Sequence, residues 1–287
     1  MIKQINILLE LTKYRISLFS TLSAGAGFML AKQGMTAGIL VPVFGVLFLA
    51  CGSCALNQYQ ERKLDKLMDR TRNRPLPSGK LSPGICLLVS MSSMLTGATI
   101  LAYGADLTAL GLGIFAVLWY NGVYTFLKQR TAFAAIPGAL IGAIPPALGW
   151  VSGGGSLTDP RIWVVGCFFF IWQVPHFWLL LLNFGKDYEN GGLPSLTRIF
   201  TSAQIRRMTF VWVFATAVIS VIVPLFGVVK SQTVIWSLFA AGFWLVLKTS
   251  GILRANNRGS RFPLNFKIIN TYVLVVMFLF TLDKLFH

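Results

Sequence analysis

A chain of 287 residues that is 55% hydrophobic and only 12% charged, with a mean hydropathy of +0.69, carries too much apolar surface for a water-soluble globule. Its 25 basic and 9 acidic residues give a net charge of +16, a balance that in a polar sequence would point to nucleic acid. Here the charges sit between long apolar runs, so the partners expected are membrane lipid headgroups or a phosphorylated substrate, and no nucleic acid. Cys51, Cys54, Cys86 and Cys167 lie in or beside apolar stretches without a secreted spacing pattern, which excludes a disulfide scaffold.

Taken in chain order, the first apolar stretch follows Lys13 and Arg15 and by itself resembles a signal peptide, but eight further apolar runs come after it. A helix needs ~20 residues to cross the hydrocarbon core. Candidate spans fall near 16–34, 37–58, 83–102, 107–126, 133–152, 161–183, 208–229, 232–250 and 264–283. The reading is an all-α membrane protein, one domain over 1–287, with nine transmembrane helices in a bundle around a central cavity. The span near 133–152 contains Pro137, Gly138, Gly142, Pro145 and Pro146, which break a helix unless neighbouring helices cover the freed backbone groups.

Basic residues stay on the cytoplasmic side of short loops. With nine spans, the N-terminus and the loops after spans 2, 4, 6 and 8 carry 21 of the Lys and Arg residues. The other side has only the 4 at Lys32, Arg161, Lys230 and Lys284. The N-terminus is therefore expected in the cytoplasm, with the chain a multi-pass protein of the cell's inner (cytoplasmic) membrane.

The scarce acids are more informative. Glu10, Glu61, Asp65, Asp69, Asp187 and Glu189 fall on the cytoplasmic side, against Asp106, Asp159 and Asp283 on the other. Five of them crowd into the ends of spans 2 and 6, among Arg62, Lys63, Lys66, Arg70, Arg72 and Arg74 in the first and Lys186 and Arg198 in the second. Asn57, Glu61 and Asp65 follow one another at intervals of four, which advances only about 40° around a helix and sets three oxygen-bearing side chains in one stripe. Such a stripe can hold Mg²⁺, which prefers oxygen ligands and shares itself with substrate phosphates, while Arg70, Arg72 and Arg74 offer forks to phosphate oxygens. The same residues also describe a solvated helix end with i,i+4 ion pairs and positive-inside arginines. Asp187 favours the first reading, because a second acid on the same face makes two loops converge. The loop after span 4 adds Lys128 and Arg130. A mouth with acids for metal and bases for phosphate, opening into an apolar bundle, suits ionisation of a prenyl diphosphate, whose allylic cation must be kept dry beside aromatic faces.

The run from Asn57 through Glu61, Asp65, Met68, Arg70, Thr71 and Arg74 to Pro75 resembles the first aspartate-rich motif of the intramembrane (UbiA-type) prenyltransferase superfamily, in the form used by protoheme IX farnesyltransferases. The resemblance continues through Tyr124-Thr125, Lys128 and Arg130-Thr131, then Gly142-Ala143-Ile144-Pro145-Pro146 with Gly149-Trp150. It runs on through Trp172-Gln173, Pro175-His176-Phe177-Trp178, Asp187-Tyr188 and Gly192-Leu193-Pro194. It is strong over roughly 10–200 and rests on hydropathy alone in the last three spans.

This resemblance implies Mg²⁺-dependent transfer of a farnesyl group from farnesyl diphosphate to a vinyl group of haem b. Water addition then gives haem O for haem-copper oxidases, through a downstream haem A synthase or oxidase assembly. By position, Asn57, Glu61, Asp65 and Asp187 would bind metal, and Arg70, Arg74, Lys128, Arg130 and Lys186 would hold diphosphate. Asp65, Asp187 and Arg70 would carry catalysis, and His176 and Trp172 would meet the haem. Several positions depart from the family: Glu61 stands where many members have Asp, Lys63 where an acid is common, Gln129 and Ala134 where Arg and Asn are expected, and Gly191 where other superfamily members place a further Asp.

His176 is the only histidine besides His287. An ionisable group within a span is a functional candidate, open to iron ligation, a propionate contact or assistance to water capture, or else a bond to a nearby carbonyl. Trp172 and Trp178 read as packing or haem-stacking surface, and Cys51 and Cys54 as packing. A related prenyltransferase with another acceptor remains an alternative. A transporter would carry its charges within the membrane, and a phosphatidyltransferase would need Asp-Gly and Ala-Arg spacings that this chain lacks.

Overall fold

The computed structural model describes residues 2–254 and 262–286, and over these the chain is helical throughout. Arg258 and Arg261, counted with the basic residues of the last loop, and His287 lie outside the described residues. The principal helices are α1 (Ile2–Leu11), α2 (Tyr14–Lys32), α3 (Leu40–Asp65), α4 (Pro83–Gly104), α5 (Leu107–Val117), α6 (Leu140–Ser152), α7 (Pro160–Asn190), α8 (Ser202–Ile222), α9 (Gln232–Thr249) and α10 (Phe262–Phe286).

Among the described residues, eight helical segments are long and apolar enough to cross a membrane, at Ala37–Asp65, Pro83–Gly104, Leu107–Leu127, Ala135–Ser152, Pro160–Asn190, Ser202–Phe226, Gln232–Arg254 and Phe262–Leu285. The chain is thus a multi-pass membrane protein. The first of the nine expected spans is not among these eight. It does form a helix, the 19 residues of α2, but Arg15, three serines, Thr21 and two glycines dilute its apolar content. The reason lies in its surroundings: α2 packs against α3, α6 and α10, and its second half, from Ser23 to Leu30, is buried.

Successive helices from α2 onward pack in chain order, and α10 closes back onto α2. The closest approach is across the ring, between α2 and α6. A Cβ on Gly149 would stand 1.8 Å from the Ala24 carbonyl oxygen, and one on Gly27 would stand 2.0 Å from the Pro146 carbonyl oxygen. Small residues are what permit two backbones to approach this closely, and in lipid such packing replaces the hydrophobic drive between helices.

The span at 133–152 is broken, as its prolines and glycines require. A short turn at Ala135–Gly138 precedes α6, which retains Pro145 and Pro146 inside it. A neighbouring helix covers part of the interrupted backbone, since Trp119 Nε1 donates to the Pro137 carbonyl at 2.9 Å. The third of these eight spans, Leu107–Leu127, which is the fourth of the nine expected, continues from α5 through a π-helical segment, Leu118–Tyr124, into Thr125–Leu127. The wider turn brings Asn121 onto α3, where its side-chain nitrogen donates to the Ser53 carbonyl at 3.0 Å and to Gln60 Oε1 at 3.2 Å. At the opposite end, Asp283 near the end of α10 accepts the backbone N–H groups of Lys230 and Ser231 just before α9. On the surface, α1 leaves Ile5, Leu8 and Leu9 exposed, the pattern of a helix lying in the membrane interface.

The α2–α6 seam sets an expectation for stability. Gly149→Ala and Gly27→Ala each destabilise the protein in detergent by about 1–3 kcal/mol or more, because the added methyl meets carbonyl backbone that cannot step aside. Gly111→Ala, on a helix face with open space, is neutral or stabilising by up to about 1 kcal/mol. Thermal unfolding of the three variants checks this, and equal midpoints would remove the seam as a determinant.

Candidate active site

The stripe expected on α3 forms and is enclosed: Asn57, Glu61 and Asp65 are only 1%, 4% and 0% exposed. Buried charge is tolerated only when it is compensated: the two carboxylates each meet a cation, and a third cation meets the Asn57 amide oxygen. Lys13, between α1 and α2, donates from Nζ to Asn57 Oδ1 at 2.7 Å. Lys128, just past the third span, forms an ion pair with Glu61. Arg74, in the loop after α3, donates from Nη1 to both oxygens of Asp65 at 2.9 Å. The loop is folded back by Thr71, whose hydroxyl donates to the Asp65 carbonyl at 2.9 Å. Asn57 also donates to Thr125 Oγ1 at 3.1 Å, tying the stripe to the base of the third span.

Asp187, near the end of α7, joins the second loop to the first. Its Oδ1 accepts the N–H of Asp69 at 2.6 Å and its Oδ2 that of Arg70 at 3.3 Å. α7 leaves helical geometry at Phe184 (φ −123°, ψ 20°) just before this contact. The Arg70 guanidinium lies 5.1 Å from the Phe184 ring centre and 6.0 Å from that of Tyr188, so Arg70 is held over the same corner. The two loops therefore meet, as the distribution of acids suggests. Arg130 and Lys186 are not drawn in: both are exposed and form no ion pair among the described residues. Arg72 pairs with Asp69 at the exposed rim, at 3.1 Å.

A test of the metal expectation gives a specific answer. Among the described residues, no three His, Cys, Asp or Glu side chains gather closely enough to hold an ion alone. Asp187 is turned to backbone amides and Asp65 to Arg74. Glu61 is buried with Lys128 on its Oε1. Three oxygen-bearing side chains on one buried face, each beside a cation, fit a metal ion shared with phosphate oxygens, and do not make an all-protein cage.

From this cluster an aromatic file leads into the bundle. Lys128 Nζ lies 5.8 Å from the Tyr124 ring centre. Tyr124 stacks with Tyr120 and with Phe177, both at 5.9 Å, and Phe177 meets His176 edge-on at 5.7 Å. His176 then contacts Trp172 at 5.0 Å and Phe266 at 4.7 Å. Trp172 is 4% exposed, stacks on Phe19 at 5.0 Å and donates Nε1 to the Ile269 carbonyl at 3.1 Å, so its surface is taken up by packing. His176 is half-buried, with Nδ1 2.7 Å from Asn270 Oδ1.

Sequence reasoning missed Lys13, which reads as one more positive-inside residue before the first apolar run. Its backbone is left-handed (φ 46°, ψ 51°), uncommon for a residue with a Cβ, and this turn between α1 and α2 delivers the side chain to Asn57. Burial, and after it the Arg74 charge, lowers its ammonium to about 8. The only signal in the sequence was its position at the end of a helix poor in hydropathy.

Residues 18–271 match the UbiA prenyltransferase family. A protein named protoheme IX farnesyltransferase from Geobacter sulfurreducens is 40% identical over 232 residues, covering 79% of this chain and 84% of its own. One of the same name from Oleidesulfovibrio alaskensis is 32% identical over 278 residues, covering 96% and 95%. Among solved structures, a digeranylgeranylglyceryl phosphate synthase study gives a chain with a TM-score of 0.78 at 12% identity, covering 99% of this chain and all of that one. A UbiA homologue from Archaeoglobus fulgidus bound to GPP and Mg²⁺ gives 0.68 at 14%, covering 94% and 99%. With the family match spanning most of its length and relatives 32% and 40% identical over 96% and 79% of it, the chain belongs to the UbiA prenyltransferase family.

Proposed function

We propose that this protein transfers the farnesyl group of farnesyl diphosphate to a vinyl group of haem b, with addition of water, releasing diphosphate and haem O. The observation that carries the chemistry is the single buried face of α3. On it Asn57, Glu61 and Asp65 each engage a cation from a different segment, and the cluster opens onto the Tyr124–Phe177–His176 file. The choice of farnesyl and haem rests on the names of the relatives.

In this reading Lys13, Lys128 and Arg74 exchange partners when substrate arrives. Each cation leaves its α3 oxygen for a phosphate oxygen, and Asn57, Glu61, Asp65 and Asp187 would hold Mg²⁺. When bound, Mg²⁺ would neutralise the charge that develops on the departing diphosphate. Arg70 stands at the same corner, and Arg130 and Lys186 reach in from the exposed rim. The C1–O bond of the substrate breaks with its electron pair going to diphosphate, and the vinyl π pair forms the new bond to C1. The cation left beside the macrocycle takes the oxygen of water, which loses a proton. Tyr124 and Phe177 keep water from C1 before that bond forms and offer their ring faces to the positive charge. His176, one stage deeper, meets the acceptor, while Trp172 supports it from behind.

We further propose that α2 is a ninth crossing, buried by its neighbours, and that the bundle surrounds a central substrate cavity. The N-terminus and the active-site loops then lie on the cytoplasmic side of the inner membrane. The 21 to 4 division of basic residues supports this orientation. The product would pass to haem A synthesis or oxidase assembly.

Purified protein with labelled farnesyl diphosphate and haem b yields a labelled porphyrin, and removal of divalent cations by a chelator stops the reaction; labelling of a different acceptor would redirect the assignment. Asp65→Asn and Asp187→Asn each lower turnover by about 100-fold or more, with a thermal transition still present in detergent. Wild-type turnover at limiting Mg²⁺ in either variant would take that residue out of the metal set. Single cysteines introduced at Arg72 and Gly192 react with an impermeant thiol reagent from the cytoplasmic side, and one at Ser156 from the other; Arg72 and Gly192 labelling from different sides would dismantle the two-loop site, and all three exchanging sides would invert the topology.

A further inference from the structure

Trp172 and His176 lie one turn apart on α7, and both reach α10 at adjacent residues. Trp172 Nε1 donates to the carbonyl of Ile269, and His176 Nδ1 stands 2.7 Å from the side-chain oxygen of Asn270. With the carboxamide oxygen turned to the ring, as assigned, it accepts from Nδ1–H, and in the neutral ring the lone pair then sits on Nε2. Phe266, Trp172 and Phe177 flank the imidazole at 4.7, 5.0 and 5.7 Å and restrict its rotation, while the residue keeps part of its surface open. A histidine whose far N–H is spent on an oxygen acceptor, with its other nitrogen bare, is arranged as metal-ligating histidines are. The same tautomer has no hydrogen to offer a propionate through Nε2, which removes one of the roles open to His176.

We infer that Asn270 is a positioning residue that holds His176 in the Nδ1–H form, leaving Nε2 to bind the iron of an iron porphyrin as an axial ligand. The inference rests on the reading of haem b as acceptor and adds to it the residue that orients the ligand.

The test is a titration of the purified full-length protein with ferric haem b, followed by its Soret band, and with metal-free protoporphyrin IX, followed by fluorescence quenching. The wild type is expected to show an imidazole-ligated haem spectrum that His176→Ala loses. Asn270→Leu should bind haem about 10-fold more weakly with a diminished ligation signature, and bind the metal-free porphyrin within about twofold of wild type. Asn270→Asp, which accepts the same hydrogen, should restore the haem spectrum. If Asn270→Leu does not fold, His176→Gly supplemented with free imidazole reads the same ligation and should regain the signature. The inference is overturned if Asn270→Leu binds haem as the wild type does, if it weakens both porphyrins equally, or if the wild-type spectrum carries no imidazole signature while farnesyl transfer to haem proceeds. Absence of that transfer in the wild type would instead bring down the acceptor assignment beneath it.

Discussion

Two backbones in direct contact, α2 against α6, fix the rest of the molecule. Gly149 receives the Ala24 carbonyl and Gly27 receives that of Pro146, at distances no side chain allows. Lipid gives little reward for burying one apolar helix against another, so close backbone packing has to supply the adhesion. That requirement explains why α2 is rich in Ser, Ala and Gly along the face it buries. Once α2 is seated there, its N-terminal turn sets Lys13 at the α3 stripe and its Phe19 on Trp172. One seam thus positions both the polar mouth and the floor of the aromatic file.

The mouth is a set of buried polar groups paired across the fold. The two α3 carboxylates each meet a cation from another segment, so neither is left alone in a poor dielectric, which would cost several kcal/mol, and a third cation, Lys13, is held by the Asn57 amide oxygen. The same cations are the ones a diphosphate would attract. Compensation in the absence of substrate and binding in its presence therefore draw on one group of side chains, and the Asp187 contact to the amides of Asp69 and Arg70 keeps the two loops in register meanwhile.

Features governed by local spacing were legible in the sequence: the long apolar spans, the break forced by Pro137 and its neighbours, and the 57–61–65 stripe. The meeting of the two acidic loops was inferred from their shared face and appears as the Asp187 latch. Features that depend on which helix lies next to which were not legible. Lys13 looks the same as any rim lysine until α2 is placed beside α3. Asn270 has no distinguishing neighbour in sequence, and its meaning comes from His176, 94 positions earlier. Arg130 and Lys186 stand at the exposed rim, and their place in the sequence beside site residues does not by itself set them in the buried cluster. The π-helical turn at Leu118–Tyr124 leaves no mark in hydropathy, yet it decides that Asn121 faces α3.

The closure of α10 onto α2 has a consequence for biosynthesis. The helices enter the membrane in the order of translation, and α10 comes last. Until it arrives, Trp172 lacks the Ile269 carbonyl, His176 lacks Asn270 and Phe266, and the amides before α9 lack Asp283. The polar mouth, built from residues before position 190, can assemble early, whereas the deep end of the file is completed only when the ribosome has nearly finished. A nascent chain is in this way able to gather its phosphate-facing cluster well before it has the pocket that would make that cluster useful.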